Sequence, residues 1–299
     1  MDGISRASRS PRLPGGAVKK QMPGFPAYRE GCTLDKLICK DYSVSYDGSR
    51  NAVDNVSLTV GAGEIVSIVG ESGSGKSTLL HGVLGLLPLG AGTRGSMSLL
   101  GQNVASLTDA QRRALSGNRV SMIFQDTGRY MNPIARVGAQ YDEFLRVHGM
   151  KSAVQRRDLQ RQMLMKLHLT DPERVLRSYP FELSGGMRQR VGIAMALSLK
   201  PELLLADEPT SALDVTVQAQ VIRQMQLLRE ITGAAILLVT HNIGVAAYLS
   251  DRIGVMKQGR LVELGPTREV IGHPRHAYTR GLLDAVVEID DERLIASHG

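Results

Sequence analysis

Cysteine is scarce in this 299-residue chain, where Cys32 and Cys39 stand seven positions apart and are the only two. Two thiols without a second pair exclude a disulfide framework and make a poor basis for a zinc or iron–sulfur site. A reduced, cytoplasmic setting fits that usage. Long apolar runs are also missing: Val191 to Leu199 and Ala234 to Val239 stop well short of the roughly 18 residues a membrane-spanning helix needs. A role at a membrane is therefore expected to be peripheral. The first thirty residues, rich in Ser, Pro, Gly and Arg, lack the apolar stretch of a secretory signal. Arg6, Arg9, Arg12, Lys19, Lys20 and Arg29 against Asp2 and Glu30 supply +4 of the formal charge of +7. That tail reads as a disordered, solvated extension, with acidic lipid headgroups or RNA as the partners its charge would otherwise suit.

What the chain does have is glycine in a telling place. Gly70-Glu71-Ser72-Gly73-Ser74-Gly75-Lys76-Ser77-Thr78 follows the apolar run Ile65 to Val69 and precedes Leu79-Leu80, giving strand, glycine loop and helix. This is the context a nucleoside-triphosphate phosphate loop requires. Glycines let the backbone turn tightly and aim successive N–H groups at phosphates, and the helix adds the positive end of its dipole. Lys76 is expected to reach the β and γ phosphates of ATP, and the Ser77 hydroxyl to ligate Mg²⁺.

Around the loop, Leu37 to Tyr46 and Val56 to Val60 read as antiparallel strands. Thr78 to Leu87 reads as a helix stopped at Pro88, and Thr108 with Gln111 forms a capping-box pattern for the next one. Ser96 to Leu100 and Val120 to Phe124 are strand candidates. From Arg136 to Arg177 the alternation gives way to two amphipathic segments, Val137 to His148 and Val154 to Leu167, without a sustained heptad. Strands resume at Leu203 to Ala206, Ala235 to Val239 and Arg252 to Met256, with a long helix from Val215 to Ile231. The expected fold is α/β: a phosphate-loop NTPase core of mostly parallel strands flanked by helices, with an antiparallel β section and an inserted all-helical subdomain.

Leu203 to Ala206 runs into Asp207-Glu208, so two carboxylates lie at the carboxyl edge of the sheet, where the phosphate loop also opens. Asp207 is expected to hold the Mg²⁺ shell and Glu208 to activate water as general base. Leu183-Ser184-Gly185-Gly186-Met187-Arg188-Gln189-Arg190 then offers a second anion site, Ser184 capping a helix whose first N–H groups face outward. These residues resemble the signature motif of ATP-binding-cassette (ABC) ATPases. The resemblance implies that two such domains dimerise head to tail, so that Ser184, Gly185, Gly186 and Gln189 close on the ATP held by the other subunit, which Asp214 of Ser211-Ala212-Leu213-Asp214 also contacts. It further implies that Gln125 contacts Mg²⁺ and the attacking water, that His241 hydrogen-bonds the γ-phosphate, and that an aromatic residue, Tyr46 or its neighbour Tyr42, stacks on adenine.

Toward the C-terminus, His273-Pro274-Arg275-His276-Ala277-Tyr278-Thr279-Arg280-Gly281-Leu282-Leu283 is similar to the segment found in ATPases that power oligopeptide, dipeptide and nickel uptake, and the resemblance spans residues 33–290. The implied organisation is a tail at 1–32, an ABC ATPase domain at 33–272 with the helical subdomain at about 135–185, and an extension at 273–299. Implied partners are two membrane-spanning permease subunits, whose short helix enters a groove built from Asp126 to Glu143, a second ABC ATPase subunit and, indirectly, an extracytoplasmic solute-binding protein, with no nucleic acid. Peptides lead as the solute, with nickel or a metal chelate as the alternative. An ABC ATPase acting on DNA or ribosomes is the remaining reading, disfavoured by the single cassette and the short helical insert. Two departures from the branch stand out: Ala277 replaces its usual proline, and Thr127-Gly128-Arg129 replaces a proline-led run. His273 and His276 invite a metal-ligand reading, against which stands a helix-docking tail.

Overall fold

A computed structural model describes residues 35–211 and 213–285. The basic tail, Cys32, Ala212 and the last part of the C-terminal extension lie outside the described residues. Two antiparallel strands come first, β1 (Leu37–Ser45) and β2 (Asn51–Val60), so the second begins five residues earlier than its apolar pattern suggests. Next come β3 (Ile65–Val69) and α1 (Lys76–Leu84). Helix α1 ends before the expected Leu87 because Gly85 adopts a left-handed conformation (φ +66°), with Gly85 N–H donating to Gly82 and Leu86 N–H to His81. β4 (Gly92–Leu99) and the short β5 (Gln102–Asn103) complete an antiparallel sheet ordered β2-β1-β4-β5. Helix α2 (Asp109–Leu115) carries the expected Thr108/Gln111 capping box, and β6 (Val120–Ile123) follows.

Helices α3 (Val137–Val147), α4 (Ala153–Lys166) and α5 (Pro172–Arg177) form the insert, and α6 (Gly185–Ser198) leads back to the sheet. Then β7 (Leu203–Asp207), α7 (Val215–Thr232), β8 (Ala235–Thr240), α8 (Ile243–Leu249) and β9 (Arg252–Lys257) alternate. β10 (Arg260–Pro266) returns antiparallel as an edge strand, followed by α9 (Thr267–Gly272) and a helix over 277–285. The larger sheet is ordered β10-β9-β3-β8-β7-β6, with every pair parallel except the first. Among the described residues no helix is long and apolar enough to cross a membrane.

β3, β7 and β8 are buried at every position, as continuous apolar strands covered on both faces should be. Their alternation divides two cores. Leu204 and Ala206 join Tyr141, Leu164 and Ile193 on the helical side, while Leu203 and Leu205 join Val44, Leu58 and Leu80 against the antiparallel sheet. The helical insert therefore shares one core with the parallel sheet, and Leu204→Ala would cost about 2–5 kcal/mol there.

Candidate active site

Register brings the chemistry together. Val69 pairs with Thr240, Asp207 with Val239, and Ile123 with Ala206, so β3, β8, β7 and β6 all end in one row. The phosphate loop, His241, the two acids and Gln125 leave that row side by side, with neighbouring strands about 4.8 Å apart.

The loop is walled by backbone. A Cβ at Gly70 would lie 2.2 Å from the Met256 carbonyl oxygen, and one at Gly75, where φ is +101°, 2.2 Å from that of Ala52. Only glycine fits either place. Lys76 is 5% exposed, and its Nζ donates to the carbonyls of Gly70 (2.8 Å) and Glu71 (2.7 Å) and to Ser74 Oγ (3.4 Å). Burial pulls the Lys76 ammonium below its ordinary value, against the pull of the Glu208 and Asp207 carboxylates. Ser77 Oγ donates to Asp207 Oδ1 at 3.1 Å, and burial pushes Asp207 up while that hydrogen bond pulls it down. A buried cation beside a buried carboxylate and a hydroxyl fits a polyphosphate anion and a divalent cation, each offsetting a desolvation cost already built into the site.

The donor set suits Mg²⁺, because Ser77 and Asp207 present hard oxygens. Among the described residues no three His, Cys, Asp or Glu side chains group as a metal cage, so such a cation would share its shell with phosphate oxygens and water.

Glu208 lies one residue past β7 with φ +43°, a left-handed conformation uncommon for glutamate. Gln125 Nε2 donates to Glu208 Oε2 at 3.0 Å, and His241 Nδ1 lies 3.1 Å from the same oxygen, a contact that requires the His241 proton on Nδ1. Both bonds fall on one oxygen, which leaves Oε1 to hold a water. A cavity of about 130 Å³ opens beside them, lined by Thr210, Ser211, Gln218 and Asn242 among others. Thr210 and Gln218 belong to no motif read from the sequence, and no local pattern distinguishes them. His241 is the first residue after β8.

Of the aromatic candidates, Tyr42 is buried at 7% and packs on Gly82, where an added Cβ would lie 2.7 Å from its hydroxyl. Tyr46 is 46% exposed, and its hydroxyl pairs with Thr78 Oγ1 at 2.9 Å. The ring beside the phosphate loop is therefore that of Tyr46.

Ser184 caps α6 by accepting the Met187 N–H, and Asp214 caps α7 by accepting the Val217 N–H. Helix α6 packs against β6, three strand spacings from β3, or about 14 Å. One phosphate group does not bridge that gap. Gln189, expected at the nucleotide of the other subunit, is 3% exposed in this chain and turned inward. Its Nε2 donates to the carbonyls of Phe124 (2.9 Å) and Pro209 (3.2 Å), and its Oε1 accepts from Thr127 N–H (3.2 Å) and Thr127 Oγ1 (2.9 Å). The side chain thus ties the loop carrying Gln125 to the loop after Glu208.

Comparison with known proteins agrees with this geometry. Residues 53–211 match the ABC transporter family, and residues 262–298 match the oligopeptide/dipeptide transporter C-terminal region. The probable D,D-dipeptide transport ATP-binding protein of Escherichia coli (strain K12) is 45% identical over 245 residues, covering 81% of this chain and 75% of that protein. The oligopeptide transport ATP-binding protein OppD of Salmonella typhimurium is 42% identical over 246 residues, covering 82% and 73%. Among solved structures, the dimeric post-hydrolysis state of the ATP-binding cassette MJ0796 bound to ADP and Pi superposes with a TM-score of 0.70 at 30% identity, covering 78% of this chain and 99% of that one. With a family match over more than half of its length and a relative this similar over three quarters of that relative's length, the chain belongs to the ATP-binding subunits of ABC transporters, in the branch that carries the oligopeptide/dipeptide C-terminal region.

Proposed function

We propose that this chain is the ATP-hydrolysing subunit of a binding-protein-dependent importer for di- or oligopeptides, acting as one half of a cassette dimer at the cytoplasmic face of the membrane. The convergence of Lys76, Ser77, Asp207 and Glu208, with Gln125 and His241 on Glu208 Oε2, carries the reading. Loop N–H groups and Lys76 would bind the phosphates, and Tyr46 would stack on adenine. Mg²⁺, held by Ser77 and Asp207, would neutralise phosphate charge. Glu208 Oε1 would orient and deprotonate the attacking water, while Gln125 holds its other oxygen. With ATP bound, the His241 ring N–H would exchange Glu208 for the γ-phosphate as its acceptor.

The separation of α6 from the phosphate loop supports a head-to-tail dimer, in which Ser184, Gly185, Gly186 and Asp214 of one subunit face the nucleotide of the other. ATP then favours the closed pair, and hydrolysis the open one. Two permease subunits would feel that change through an apolar groove of about 310 Å³, lined by Leu84, Leu86, Phe124, Tyr130, Met131 and Phe144 among others. The relatives named for dipeptide and oligopeptide transport support the solute class.

The test is affinity purification of the tagged chain from gently solubilised membranes, with ATPase assays of what is recovered. The expected result is two multi-span proteins, ATPase activity that Lys76→Ala abolishes, and a closed ATP-bound dimer that Glu208→Gln traps. Recovery of soluble nucleic-acid or ribosomal proteins alone, or wild-type turnover in both variants, would overturn it.

A further inference from the structure

No motif announces the neighbour that the phosphate loop has on its outer side. After α9 the chain crosses back over β10, where the Glu263 carboxylate accepts the N–H groups of Arg275 (2.8 Å) and His276 (3.1 Å). His276 Nδ1 in turn accepts the Tyr278 N–H at 3.1 Å, so the helix over 277–285 starts from a fixed point. Tyr278, Leu282 and Leu283 then pack in one cluster with Val69, Val255 and Val270. Val69 is the residue immediately before Gly70.

From that seat the Tyr278 hydroxyl accepts the backbone N–H of Glu71 at 3.3 Å, and Lys257 Nζ lies 4.6 Å from the centroid of its ring. Glu71 is the second residue of the phosphate loop. Its carbonyl accepts both Lys76 Nζ (2.7 Å) and the Ser74 N–H (3.2 Å). A continuous line of contacts thus runs from the C-terminal helix through Tyr278 and Glu71 to the lysine that meets the phosphates.

We propose that Tyr278 is a positioning residue for ATP binding, anchoring the loop at Glu71 so that Lys76 and the N–H groups beyond it are arranged before the triphosphate arrives. The proposal rests on reading the loop as the ATP site. A loop holding Gly70, Gly73 and Gly75 loses much conformational entropy when it is ordered. An anchor outside the loop lowers the part of that cost charged to binding. Burial pushes the Tyr278 phenol up, against the downward pull of the Glu71 N–H that its hydroxyl accepts. The C-terminal segment becomes part of the ATP site through this one hydroxyl.

Tyr278→Phe removes the acceptor and keeps the ring, its packing and its contact with Lys257. In the full chain, the expected result is ATP binding weakened about three- to tenfold, the worth of one net hydrogen bond. The loss should appear in KM for ATP and not in kcat. Deuterium uptake of a peptide covering 70–75 should rise while Tm holds. Glu71→Pro, which deletes the donor instead, should weaken ATP binding similarly, and the double variant should do no worse than either single one. Wild-type ATP affinity and wild-type uptake in Tyr278→Phe would overturn the proposal, as would strict additivity with Glu71→Pro. If wild-type protein binds ATP no more tightly than Lys76→Ala, the ATP-site reading falls and the proposal with it. Clear binding by wild type, unchanged in Tyr278→Phe, defeats the proposal alone.

Discussion

Truncating Gln189 to alanine separates a structural role from a ligand-binding one. The side chain makes four hydrogen bonds from a position 3% exposed, to Phe124, Pro209 and twice to Thr127. Thr127 is itself 8% exposed, so water reaches the abandoned partners poorly. At about 1 kcal/mol net per bond the loss is roughly 4 kcal/mol, and stranded carbonyls and the N–H push it upward while local relaxation pulls it back. For a domain of this size, about 2–4 °C per kcal/mol puts the fall in Tm at about 8–16 °C. Thermal unfolding of Gln189→Ala against wild type, paired with ATP titration, gives both readouts. ATP affinity should change little, because no polar atom of Gln189 faces the phosphate loop. Turnover should fall, since the loop carrying Gln125 loses its tie to the loop after Glu208. A Tm within 2 °C of wild type together with a large rise in the ATP dissociation constant would refute the reasoning and return Gln189 to the ligand.

Glu202 accepts from Lys36 Nζ (2.8 Å) and Arg119 Nε (2.6 Å), and those two bonds, Arg119 first, hold its carboxyl at about 2. A depressed folded pKa means stability that is fully present above the unfolded value near 4.5 and lost as pH falls toward 2. With 37% of the side chain exposed, screening reduces the contribution to about 1 kcal/mol. The Tm gap between wild type and Glu202→Gln should therefore close between pH 5 and pH 2, and a constant gap would contradict the assignment. Burial pushes the Cys39 thiol up to about 12. Iodoacetamide at pH 8 should leave the Cys39 peptide unmodified until the chain unfolds, and alkylation of the native protein would count against the buried placement. Thr108→Ala removes one half of a capping box and should cost about 1 kcal/mol, with Thr108→Ser close to neutral; equal melting of all three proteins would remove the cap from the account.

The parts legible in the sequence are those whose physics is local. The phosphate loop needs an apolar strand before it, glycines within it and a helix after it, all inside about twenty residues. Leu203 to Glu208 was equally readable, because a continuous apolar strand ending in acids has few places to go in a parallel sheet. Helix α1 ends three residues before the expected Leu87 because Gly85, in a left-handed cap, acts earlier than Pro88. β10 is not legible in the sequence, because an edge strand of intermediate burial has no clean period-two pattern. The inward bonds of Gln189 are illegible for a related reason, since the first turns of α6 read the same whether that side chain faces a ligand or the interior.

Sequence alone, then, determined the two apolar strands, the glycine loop and the carboxylates at the strand end, through steric and periodic rules that act over a few residues. Tertiary structure decided that Gln125 and His241 meet one oxygen of Glu208, that Gln189 bridges two loops, and that Tyr278 reaches Glu71 across 207 positions of chain. Those contacts follow from the lateral order β10-β9-β3-β8-β7-β6 and from the packing laid over it, to which local propensity and periodicity are blind.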